Sequence, residues 1–204
     1  MGHQRATATA AWVAFVISFC CFPVLAQTAF SVHPQTRITG TLDERARVSL
    51  SGNRHPLARA ENEAGPVPPD LRMERMILAL DSDPEQQRAL EELLADQHNP
   101  HSARYRQWLT PEDFGQQFGI SDPDLGQVTN WLTSHGLTVD EIPAGRRAIV
   151  FSGSAGQVES AFHTQMRAYR VDGQMHYAPA KSTASAAIPA RAARANVLEP
   201  RSKM

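Results

Sequence analysis

Three times between Asp83 and Asp124 a capping side chain stands at or one residue ahead of the step into a proline: Asp83-Pro84, Thr110-Pro111 and Ser121-Asp122-Pro123. A side-chain oxygen at such a position satisfies amides that the first helical turn leaves without partners. Proline suits that turn because the N–H it lacks would be unpaired anyway. These starts predict three helices and exclude an all-β fold. After the first, Leu90, Leu93, Leu94 and Gln97 fall on one face, and Asn99-Pro100 stops the pattern. After the second, Glu112 and Asp113 lie at the positive helix end, Phe114 and Phe118 stack at i, i+4, and Gly119 closes. Leu125, Val128 and Leu132 point inward from the third, which ends at His135-Gly136.

Strand signals surround these helices. Residues 71–80 end in five consecutive apolar side chains and read as a buried strand. Residues 137–142 and 147–151 alternate around Pro143-Ala144-Gly145, a hairpin. A fourth helix is expected over 154–164, with Val158, Ala161 and Phe162 at helical spacing. Residues 166–171 and 174–177 then flank Asp172-Gly173, a strong two-residue hairpin signal. The order strand, helices, strand, strand, helix, strand predicts an α+β fold: a ferredoxin-like antiparallel sheet with helices on one face and an expanded first helical connection. Residues 27–70 show no sustained period and read as an extended N-terminal arm. Residues 181–204, alanine-rich with Arg191 and Arg194, read as a tail or truncated linker.

Residues 10–22 contain one polar side chain, Ser18, and Arg5 is the only charge before Arg37. A spanning helix needs about 20 apolar residues, and Pro23 interrupts sooner. Residues 1–26 therefore read as a signal peptide cut between Ala26 and Gln27. Phe19 stands where a lipidation site needs a small residue ahead of Cys20. The expected product is secreted or periplasmic, with no stable membrane anchor after cleavage. Both cysteines, Cys20 and Cys21, leave with the signal, which excludes disulfide and cysteine–zinc chemistry from the mature part. Twenty basic against twenty-one acidic side chains leave no broad positive field, so no nucleic-acid partner is expected.

Few residues point to catalysis. Ser152-Gly153-Ser154-Ala155-Gly156 resembles a nucleophile elbow, but its first glycine is replaced. Ser154 with Gln157 three residues on also forms a capping box, the favoured reading. His98 and His101 straddle Asn99-Pro100, so no helix aligns them for a metal. Glu91 and Glu92 diverge by about 100° and read as a solvated face. Phosphate-binding glycine loops are missing from the sequence. No catalytic residue, metal ligand or cofactor is expected. Tyr105, Trp108, Phe114, Phe118 and Trp131 sit at helix starts and helical spacing, which assigns them to the core. A buried Trp108 would make Trp108→Ala cost roughly 3–5 kcal/mol.

Residues 104–119, Arg-Tyr-Arg-Gln-Trp-Leu-Thr-Pro-Glu-Asp-Phe-Gly-Gln-Gln-Phe-Gly, resemble the hallmark of the pro-kumamolisin activation domain. Tyr105, Trp108, Leu109, Thr110, Pro111, Phe114, Phe118 and Gly119 carry that likeness. Residues 151–164 are similar to the family's strand-to-helix segment through Ser154, Gly156, Gln157, Phe162 and His163. Residues 50–58 and 90–97 also match, so the resemblance runs from about 38 to about 189.

The resemblance implies a subtilisin-propeptide-like fold over 71–180. It also implies a role in the precursor of an exported sedolisin-type serine-carboxyl endopeptidase, as folding assistant and as an inhibitor released by acid. The implied partner is the sedolisin-type peptidase domain, in cis as in the family. The alternative is action in trans, as a stand-alone secreted inhibitor or binding module. The sequence ends at Met204 without the family's glutamate, aspartate and Ser-Gly-Thr-Ser serine, so no catalytic residue carries over.

Overall fold

Each cap-and-proline start opens a helix in the computed structural model, which describes residues 32–40, 48–49, 56–180, 184–185 and 193–196. The expected signal peptide, with Ala26 and Gln27, lies outside the described residues. Helix α1 spans Pro84–His98, and the Asp83 carboxylate accepts from the Glu85 amide at 2.8 Å. Helix α2 spans Pro111–Phe118, with Thr110 Oγ1 accepting from the Asp113 amide at 3.1 Å. Helix α3 spans Asp122–Ser134, capped by Ser121 at 3.3 Å from the Asp124 amide. Helix α4 spans Ala155–Phe162 and ends on His163 in the left-handed region, φ 49°.

The strands among the described residues are β1 (Val48–Ser49), β2 (Glu63–Pro66), β3 (Arg72–Leu80), β4 (Thr138–Glu141), β5 (Ala148–Ser154), β6 (Met166–Val171), β7 (Gln174–Pro179), β8 (Ala184–Ser185) and β9 (Ala193–Asn196). All pairings are antiparallel, and the fold is α+β. The main sheet runs β4-β5-β3-β9. Its first three strands keep the ferredoxin-like order, with β5 between β4 and β3. Strand β6 does not return to lie beside β3; β9, from the alanine-rich stretch, holds that edge, with Leu78 opposite Ala195 and Leu80 opposite Ala193. Strand β6 instead has both edges satisfied elsewhere, by β7 through the Asp172-Gly173 turn and by β2 ahead of β3. Both turn residues have positive φ, 50° and 80°, as a tight hairpin of matching twist requires. The two-residue strands β1 and β8 pair with each other.

The core lies under the β3–β5 ladder. Alternation along β3, reset once by a bulge between Met73 and Met76, turns Met73, Met76, Leu78 and Leu80 inward, and β5 adds Ile149 and Phe151. Against them pack Leu125, Val128, Trp131 and Leu132 of α3 and Val158, Ala161 and Phe162 of α4, joined by Met166 and Ala168 of the second sheet. Phe162 is fully buried, with its ring 5.4 Å from Trp131 and 5.7 Å from Phe151. Part of the N-terminal stretch belongs to this body: Ile38 is buried, and the Arg37 and Ile38 amides both donate to the buried carboxylate of Asp124 at 2.9 Å.

Helices α1 and α2 form a second, smaller cluster in which Ala89, Leu93 and Phe118 are buried and Leu90, Leu109 and Phe114 are half-covered. Leu94 corrects the expected helix face: it is 44% exposed, and Gln86 and Ala89 take the inward positions with Leu93 and Gln97. Adjacent helical residues stand about 100° apart, so Leu93 and Leu94 cannot share the centre of one face. Polar bonds tie the cluster to its surroundings. The buried Gln86 amide donates to the Gln117 and Gly119 carbonyls, both at 3.2 Å. Gly115 lies so near the β4–β5 turn that an added Cβ would stand 2.0 Å from the Ala144 carbonyl oxygen.

Candidate functional site

Of the residues that carry the family likeness, most turn out to build elements. Ser154 and Gln157 form a reciprocal capping box: Ser154 Oγ accepts from the Gln157 amide at 3.2 Å, and the Gln157 side chain accepts from the Ser154 amide at 2.7 Å. The same glutamine donates to the Gly136 carbonyl at 2.9 Å, joining α4 to the end of α3. The Gly156 amide donates to the Pro69 carbonyl at 2.8 Å, and a Cβ at Gly156 would meet that oxygen at 3.1 Å. Gly119 leaves room for the Arg146 side chain, whose Cβ an added methyl would approach to 2.7 Å. Thr110 and Pro111 start α2, Phe118 is buried, Phe114 and Leu109 are half-buried beside it, and His163 ends α4. The Ser154 hydroxyl is engaged as a cap.

Tyr105 and Trp108 depart from this pattern. Trp108 is 62% exposed and Tyr105 36% exposed, against the expectation that both are core. The reason is local. Residues 99–109 are a loop with no helical face to hide an aromatic ring. The loop is nevertheless tightly bonded: amide donors run from Ser102 to the Asn99 carbonyl, from Tyr105 to Ser102 and from Gln107 to Arg104. The buried Gln97 side chain donates to the Gln107 carbonyl at 2.5 Å, and the Arg106 amide donates to the Gln97 carbonyl at 3.1 Å. Arg106 itself sits in the left-handed region, φ 57°, where a residue with a Cβ is strained.

Around the two rings the loop collects cations. The Arg106 guanidinium lies 5.0 Å over the Tyr105 ring, and Arg104 reaches Asp96 at 3.8 Å. The His98 ring meets Trp108 edge-on at 5.7 Å. Its Nδ1 is 2.7 Å from the Leu94 carbonyl oxygen, an acceptor, which places the proton on Nδ1. Leu94, one helical turn ahead of His98, is exposed as well. Aromatic and cationic side chains thus stand together on a loop whose backbone is bonded to itself and to Gln97.

A second polar group escaped sequence reasoning. Ser152 is buried; its hydroxyl donates to the Asp140 carboxylate and accepts the Arg75 amide at 3.0 Å, where a bulge puts Arg75 at φ 55°. Arg75 reaches Glu141 at 3.8 Å. Alternation along the β4–β5 hairpin was the available signal, since it places Ser152 opposite Thr138 and near Asp140. The group satisfies a bulge, with a backbone amide and a carboxylate as the partners of the serine. Among the described residues no cluster of three or more histidine, cysteine, aspartate or glutamate side chains is arranged to hold a metal.

Comparison with known proteins places this arrangement. Over 102 residues the chain is 30% identical to xanthomonalisin from Xanthomonas sp. (strain T-22), covering 50% of this chain and 12% of that protein. Over 100 residues it is 29% identical to sedolisin from Pseudomonas sp. (strain 101), covering 49% of this chain and 16% of that protein. The aligned stretch is thus a small part of either relative. The model of the pro-kumamolisin activation domain matches residues 60–194, from just ahead of β2 to within β9, taking in α1 to α4 and the exposed loop. With well over half of its length inside that match, the chain belongs to the pro-kumamolisin activation domain family.

Proposed function

We propose that this chain serves an exported sedolisin-type endopeptidase precursor as its activation domain, assisting folding of the peptidase domain, covering its cleft and leaving it in acid. The observation that carries the reading is the extent of the family match, which includes the four α-helices among the described residues and strands β2 to β7. The relatives xanthomonalisin and sedolisin are sedolisin-type peptidases in which such a domain is a minor part. Most residues of the family motif act here as caps, close-packed glycines and core side chains, while Tyr105 and Trp108 stand exposed, which suits a domain whose work is done by its surface.

Acid release follows from proton linkage. Carboxylates that gain cationic partners in the complex are held below their pKa in the separate domain. Their contribution to affinity is complete above the separate-state pKa and is lost as pH falls through the bound-state value. Each unit of depression is worth about tenfold in affinity.

The test is inhibition of xanthomonalisin by residues 27–204 at neutral pH and near pH 4. Tight inhibition at neutral pH that weakens at least about tenfold in acid is the expected result. Absence of inhibition at neutral pH overturns the reading. An inhibition constant indifferent to pH overturns the release mechanism.

A further inference from the structure

We propose that the 99–109 loop is the anchor by which this domain docks on its peptidase domain, Trp108 entering an apolar pocket rimmed by carboxylates while Leu94 and Tyr105 close its sides. The inference rests on the function proposed above and names the surface that performs it.

Three observations carry it. The first is rigidity against exposure. A ring as large as Trp108 is held 62% in solvent by a loop whose backbone is bonded to itself and to buried Gln97. Burial of that ring would contribute stability, so its position makes no sense as folding economy. A ring already fixed loses little conformational freedom on binding, and buried tryptophan and tyrosine are the residues that dominate interfaces. The Arg106 backbone, left-handed at φ 57°, shows that the loop is held in shape at a local cost.

The second is charge. From Asn99 to Leu109 the loop carries His101, Arg104 and Arg106 and no carboxylate, and His98 adjoins Trp108; Asp96 of α1 answers Arg104 at 3.8 Å, so Arg106 is the cation offered at the rings. Arg106 lies over the Tyr105 ring, and a partner's acidic rim would meet it there. Complementarity therefore requires an apolar centre with acidic edges on the partner.

The third is what surrounds such a domain in its relatives. The aligned stretch is 12% and 16% of xanthomonalisin and sedolisin, so there it has a much longer chain attached. A tethered partner sits at high effective concentration, and one small apolar anchor is then enough to hold it. A second copy of this chain lacks that advantage.

The experiment compares residues 27–204 with the variants Trp108→Glu, Leu94→Glu and Met175→Glu as inhibitors of xanthomonalisin at neutral pH. Met175, 41% exposed on the β6–β7 hairpin, is the control. Thermal midpoints and sedimentation are recorded for each. The inference expects Trp108→Glu to weaken inhibition about 30-fold or more, Leu94→Glu to weaken it less, and Met175→Glu to leave it unchanged. Folded Trp108→Glu and Leu94→Glu proteins that inhibit like the wild type overturn the inference and leave the proposed function standing. A wild-type chain that does not inhibit overturns both. Loss of a dimer in Trp108→Glu at unaltered inhibition assigns the patch to a second copy and overturns the inference.

Should the glutamate variants fail to fold, fluorine-labelled tryptophan in the wild-type chain gives the answer, the Trp108 resonance being identified by Trp108→Phe. Added xanthomonalisin is expected to shift the Trp108 signal and leave that of buried Trp131 in place. An unmoved Trp108 signal in the inhibited complex overturns the inference.

Discussion

The β3–β5 sheet with α3 and α4, and the α1–α2 pair with its 99–109 loop, are held together by different means. The first is a continuous apolar interior in which Met76, Leu78, Leu132, Ile149, Val158 and Phe162 have no exposure at all. The second has a small apolar cluster of Ala89, Leu93 and Phe118, and relies on the amides of the buried Gln86 and Gln97 to pin helix to helix and helix to loop. Apolar packing is strong and indifferent to direction; hydrogen bonds contribute less and fix geometry. The domain thus places its stability in one region and its exactness of presentation in the other.

Phe162→Ala is the hardest blow to the first region. Removal of a fully buried ring between Trp131 and Phe151 is expected to cost about 3–5 kcal/mol, read as a fall in the denaturation midpoint. A loss below about 1 kcal/mol would erase the contrast. In the second region Gln97→Ala leaves the Gln107 carbonyl without its buried donor, at an expected cost of about 1–3 kcal/mol. Hydrogen exchange should then quicken in residues 99–109 and not in β5; uniform quickening would show that the two regions unfold as one. Ser154→Ala removes a cap at the seam of the first region, for about 1 kcal/mol, and inhibition of xanthomonalisin should survive it. Least affected is the stability of Trp108→Ala, expected within about 0.5 kcal/mol of the wild type because the ring is mostly in water. A large drop in its midpoint would move Trp108 back among the structural residues.

The helices and hairpins were legible because their signals are local. Asp83, Thr110, Ser121 and Ser154 cap within three residues, and Asp172-Gly173 turns within two. What was not legible depends on distant partners. Nothing near Met166–Val171 tells that β2, about a hundred residues earlier, will pair with it, and Gly65-Pro66 disguises β2 as a turn. Trp108 was misread for a related reason: periodicity reports which way a side chain faces only inside a helix or strand, and this one stands in a loop. The polar staples Gln86 and Gln97 look in the sequence like any surface glutamine, and only the carbonyls brought to them by folding give them their role.

The edge strand at 193–196 has a consequence for how the chain ages. Its backbone covers Ile77 to Leu80 of β3, and a run of four residues is held weakly once it is no longer continuous with the rest. A proteolytic nick between 180 and 193 therefore threatens more than the removal of a tail. It bares a row of amide and carbonyl groups on the central sheet, a template on which another extended segment can add as a new strand. Nicked material is expected to self-associate more than the intact chain, which sedimentation of the two forms would read.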